Sequence, residues 1–78
     1  MSAWELRADG FALGRERVIT WDENRVVLTP IWTDEGGVCV NVDAGDEPIP
    51  PQVAISVAVG MIQLAGLKPP TLNEITAN

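Results

Sequence analysis

The chain has no histidine and no tyrosine, and it holds a single cysteine in 78 residues. Without histidine it lacks the commonest general base, the commonest transition-metal ligand and the side chain that titrates near neutrality. One thiol, Cys39, cannot close an internal disulfide, so the fold depends on its core and on partner subunits, as expected for a protein of a reducing cytoplasm. Basic residues are scarce as well: five Lys+Arg stand against eleven Asp+Glu, a net charge of −6. Phosphate backbones are bound by clustered cations, and no such cluster exists, so direct nucleic-acid binding is not expected.

Long apolar runs are missing too. The longest stretch, Val53 to Leu67, is interrupted by Ser56 and Gln63 and falls short of the roughly 20 residues that span a bilayer. The N-terminus, Met1-Ser2-Ala3-Trp4-Glu5-Leu6-Arg7, lacks a basic segment followed by an apolar one, so a secretory signal is not expected. Neither a membrane nor a cofactor is implied.

What is present is a folding composition: 46% hydrophobic and 21% charged residues suit a single small globular domain rather than an acidic disordered tail. The acidity is localised. Every acid except Glu74 lies in residues 1–48, while residues 49–78 carry only Lys68 and Glu74 and are neutral. A segment so poor in charge needs contacts to cover it.

The pattern predicts an α+β domain over 1–78: an antiparallel β meander of four to five short strands over about 3–43, a Pro-rich connector at 44–51, a helix over about 51–66 packed on the sheet, and a tail at 67–78. Trp4 to Arg7 alternates apolar and charged ahead of Asp9-Gly10, which predicts a hairpin with a primed turn. Val18-Ile19-Thr20-Trp21 and Arg25-Val26-Val27-Leu28-Thr29 read as strands joined through Asp22-Glu23-Asn24, with Asn24 suited to the left-handed conformation. Pro30 interrupts the second of these and marks an edge or a bulge. Gly36-Gly37, both free to take positive φ, predicts a further hairpin into Val38-Cys39-Val40-Asn41-Val42, with Cys39 expected to be a buried thiol. Pro51 suits a first helical turn, Asp46 and Glu47 suit its positive end, and Gly66 suits its stop. Val53 to Met61 also alternates as a strand would, but its length and the flanking Pro and Gly favour helix.

On a wheel at about 100° per residue, Val53, Val57, Met61 and Leu64 form one ridge of this helix. Ala54, Ala58 and Ala65 form a small-residue strip, and Ile55, Val59 and Ile62 a second ridge. Gln52, Ser56, Gly60 and Gln63 make the polar strip. The apolar arc is roughly 240°, whereas packing on one sheet needs little more than 100°. A second copy is the expected cover for the excess, giving a homodimer or higher oligomer through Val53, Ala54, Ile55, Val57, Ala58, Val59, Met61, Ile62 and Ala65. Burial by the N-terminal strand or the 69–78 tail is the alternative.

Tests for chemistry return little. The carboxylates Asp22/Glu23, Asp34/Glu35 and Asp43/Asp46/Glu47 sit at turns, where solvation rather than catalysis is the rule. Residues 43–47 offer oxygen ligands but lack the spacing of a calcium loop, so no metal is expected. Ser2, Ser56 and Cys39 have no histidine base. Three tryptophans, Trp4, Trp21 and Trp32, serve either a core or an interface, and Trp21 is placed to stack on Arg25. The first functional expectation is therefore a non-enzymatic accessory or regulatory protein that self-associates through its helix and meets a protein partner through Asp34, Glu35, Asp43, Asp46 and Glu47. Two alternatives stay open: an acidic decoy that imitates nucleic acid to block a basic protein surface, and a small-molecule-binding module with a Trp-lined pocket between sheet and helix.

Overall fold

A computed structural model describes residues 4–71. Five antiparallel strands, β1 (Trp4–Ala8), β2 (Phe11–Gly14), β3 (Arg17–Trp21), β4 (Asn24–Thr33) and β5 (Gly37–Asp43), precede one helix, α1 (Pro51–Ala65), which lies on the sheet. The α+β class and the single C-terminal helix are as the sequence pattern predicts.

The connectivity departs from a plain meander. β4 is ten residues long and organises the sheet. One of its edges pairs with β5 along Val27↔Asp43 to Thr33↔Gly37, and the other is shared, β3 occupying Asn24 to Leu28 and β2 occupying Ile31 to Thr33. β1 then lies outside β2.

This division explains Pro30. It is neither at a sheet edge nor in a bulge, as expected from its missing N–H, but is fully buried in the central strand. The register with β5 runs through Pro30↔Val40 without a slip. On the opposite edge the Pro30 backbone faces the gap between β2 and β3, where no ladder partner asks for a donor. A Cβ on Gly14 would stand 2.6 Å from the Pro30 ring, so a glycine closes the end of β2 against it.

The turns use fewer left-handed residues than the sequence offers. At the first hairpin only Gly10 is positive, with φ 73°, so the turn is not a primed one, and the β1–β2 register slips between Leu6 and Ala8. At the second hairpin it is Asp22, not Asn24, that adopts φ 49°. Asn24 is already paired with Trp21 in the ladder. At the third, Gly37 alone has φ 75°, while the Gly36 N–H is held by the Thr33 hydroxyl at 2.8 Å. The first and third turns are tied together by the Asp34 N–H, which donates to the Gly10 carbonyl at 3.0 Å.

β4 directs Val26, Leu28, Pro30 and Trp32 to the helix side and Val27, Thr29, Ile31 and Thr33 to the back. Val26 and Leu28 meet Val57 and Leu64 of α1 to form the core, flanked by Ile19, Trp21, Val40, Ala44, Ile49, Val53 and Leu67. The helix begins after Pro50, with a proline in its first turn and no acidic residue there, so Asp46 and Glu47 lie too early to serve its positive end. Gly66 ends it in a right-handed conformation, its N–H bonded to Ile62 O at 3.1 Å. Beyond the helix, Trp4 Nε1 donates to the Lys68 carbonyl at 2.8 Å, which fastens the first strand to the segment after α1.

Candidate functional site

The face of α1 that meets the sheet is set by close approach. A Cβ on Gly60 would come within 2.8 Å of Leu28 Cδ1, so the helix touches the sheet at Gly60, between Val57 and Leu64. Gly60 therefore belongs to the packed face and not to the polar strip assigned to it by the wheel. The polar strip faces β3, where Arg17 Nη1 donates to Gln63 Oε1. By the same rotation, Ala54, Ala58, Met61 and Ala65 lie on the β5 side.

What remains outward is apolar throughout. Ile62 is 72% exposed and Ile55 65%, with Val59 at 46% and Met61 at 38%. Ala54, Ala58 and Ala65 are exposed between them. These seven residues span an arc of about 160° at 100° per residue, and no residue from Pro51 to Ala65 carries a charge. Val57 and Val53, assigned to self-association from the wheel, are instead engaged with the sheet, Val57 buried and Val53 half-buried in the core. Among the described residues the second ridge is the one without an internal partner, and most of the 69–78 tail expected as its alternative cover lies outside them.

The acidic residues proposed as one partner surface fall into two groups. Asp34 and Glu35 form the β4–β5 turn beside Gly10. Asp43 pairs with Val27 near the other end of that hairpin, with Asp46 and Glu47 in the following connector. Six residues of strand, about 20 Å, separate the groups. Asp22 and Glu23 at the β3–β4 turn join the second group, and Asp9 joins the first. All of these carboxylates are exposed. Among the described residues no three metal-ligating side chains come together.

The tryptophans divide likewise. Trp4 is buried, whereas Trp21 and Trp32 are half-buried. Trp21 pairs with Asn24 and Arg25 with Thr20, so Trp21 and Arg25 project from opposite faces and do not stack. The space between sheet and helix is filled by Val26, Leu28, Val57 and Leu64. An open cleft of about 370 Å³ lies elsewhere, between β1 and the β2–β3 connection, lined by Trp4, Glu5, Arg7, Arg15 and Glu16 among others. Cys39, expected inside, is exposed on the back of β5, a face without a covering layer among the described residues.

Sequence reasoning missed the back of the sheet. Leu13 pairs with Ile31 and Val18 with Val27 there, and Val18 is 45% exposed. The signal was available in the apolar alternate positions of β2, β3 and β4. No helix among the described residues is long and apolar enough to cross a membrane. The chain matches no protein-family model, no curated protein and no solved structure.

Proposed function

We propose that this protein is a non-enzymatic accessory or regulatory protein of the cytoplasm that associates with copies of itself through the outer face of α1 and presents its acidic turns to a protein partner. The observation that carries the reading is the uncharged outer arc, on which Ile55 and Ile62 are each about two-thirds or more exposed. Isolated surface hydrophobics need no explanation, but a contiguous apolar face does. In a molecule of net charge −6, copies repel one another wherever acids face each other, and this arc is a surface from which acids are absent. A two-fold contact there sets aliphatic ridges against each other with no like charges opposed. The exposed, unpaired Cys39 accords with a reducing compartment.

The test is mass by light scattering after size exclusion, across micromolar concentrations. Wild type is expected as a dimer or larger. Ile62→Glu is expected to lower that mass by at least half while leaving the far-ultraviolet spectrum unchanged, since Ile62 makes little contact with its own sheet. A monomeric wild type, or an unaltered mass for Ile62→Glu, refutes the reading.

A further inference from the structure

We propose a second self-association surface, the free edge of β5, which pairs antiparallel with β5 of another copy about a two-fold axis through Val40. Among the described residues β5 is hydrogen-bonded only to β4. Pro30 settles which of its groups are free. A proline opposite Val40 directs its nitrogen away from β5, so Pro30↔Val40 is a pair without mutual hydrogen bonds. By alternation Val38, Val40 and Val42 each turn one N–H and one C=O toward the open edge.

Natural sheets blunt such edges with bulges, charges, prolines or brevity. Among the described residues the other two open edges are blunted: β1 has a register slip and an exposed Glu5–Arg7 ion pair, and β3 is five residues long and begins at Arg17. β5 has none of these devices. Its seven residues keep one register throughout, and its only charge is the terminal Asp43.

The edge is also complementary to itself. A two-fold axis at Val40 places Val38 opposite the second copy's Val42, Cys39 opposite Asn41, and Asp43 opposite Gly37. Within the seven paired residues no like charges are opposed, while the Asp34–Glu35 turn of each copy comes beside the Asp43 and Asp46 end of the other, so the pairing is expected to strengthen as salt screens them. The two copies of Val38, Val40 and Val42 form one apolar row on the helix side, and Val42, 42% exposed, gains cover. About six interstrand hydrogen bonds result, alternating as an antiparallel ladder requires. This contact is distinct from the ridge of Ile55, Val59 and Ile62, which points away from the sheet, whereas Ala54, Ala58, Met61 and Ala65 lie on the β5 side.

The test uses Cys39 as a reporter in the full chain. In this register Cys39 and residue 41 of the second copy form a non-hydrogen-bonded pair with Cα atoms about 4.5 Å apart, within disulfide reach. Two copies of Cys39 lie diagonally, about 7–8 Å apart, and are not. Under mild oxidation Asn41→Cys is expected to give covalent dimer on non-reducing gels at least about ten times faster than wild type. Adding Val42→Lys, at an exposed position, is expected to abolish the gain, and adding Ile62→Glu to preserve it. With both contacts in place wild type is expected by light scattering as a tetramer or larger, Ile62→Glu and Val42→Lys singly as dimers, and the double variant as a monomer. Wild type crosslinking as fast as Asn41→Cys, no crosslink in Asn41→Cys, or loss of the crosslink with Ile62→Glu would overturn the edge contact. The first two outcomes leave the helix contact standing if Ile62→Glu still lowers the mass of the unoxidised protein.

Discussion

Replacing Gly60 with alanine sets two effects of opposite sign against each other. In an ordinary helix interior the change stabilises by about 1 kcal/mol, because glycine gives up more backbone freedom on folding. Here the new methyl would stand 2.8 Å from Leu28 Cδ1 and 3.5 Å from Arg17 Cδ. Carbon atoms prefer about 3.5–4.0 Å, so the first contact is short by about 0.7 Å or more. Leu28 is fully buried and cannot swing aside, so the helix must lift from the sheet. Overpacking of this kind costs about 1–3 kcal/mol, which leaves Gly60→Ala destabilised by roughly 0–2 kcal/mol. The discriminating measurement is a double-mutant cycle with Leu28→Ala, by urea denaturation at fixed protein concentration because association is linked to stability. Leu28→Ala alone is expected to cost about 2–5 kcal/mol. In that background the obstructing methyl is gone, and Gly60→Ala should become stabilising by about 1 kcal/mol. A stabilisation of similar size in both backgrounds would refute the close approach of α1 to Leu28 at Gly60.

Two further expectations come from the strand connections. Gly37 has φ 75° and nothing within 4 Å of a Cβ position. Gly37→Ala should therefore lose about 1–2 kcal/mol through the backbone alone, whereas Asp22→Gly, at φ 49°, should change stability by less than about 1 kcal/mol; equal effects in thermal melts would contradict the assigned conformations. Trp4→Phe keeps most of the apolar contact but removes the bond to the Lys68 carbonyl. A loss of about 1 kcal/mol is expected, with faster amide exchange in residues 67–71, and unchanged exchange there would show that the bond does not hold that segment.

The residues of this chain determined by themselves its class and the span of its helix. Pro50 immediately before the helix, Pro51 as its first residue and a glycine after it bracket Pro51 to Ala65 through local backbone geometry alone, and strand runs separated by Asp-Gly, Asp-Glu and Gly-Gly give hairpins by the same local rules. They also determined that the helix carries more apolar surface than one sheet can cover, since that is a property of the wheel. The choice of which part is left over was tertiary. Gly60, with no side chain, reads as neutral or polar on a wheel, yet the absence of a Cβ is what lets α1 descend onto Leu28, and that contact rotates Val53 and Val57 inward and Ile55, Val59 and Ile62 outward. The fate of Pro30 was tertiary in the same sense. A missing N–H reads as an edge or a bulge until two other strands, distant in sequence, divide one side of β4 and leave the proline facing the gap between them. Cys39 and the separation of Asp34 and Glu35 from Asp43, Asp46 and Glu47 follow from that arrangement, because side chains that look alike along a strand are told apart only by what is packed on each face and by which end of the sheet they reach.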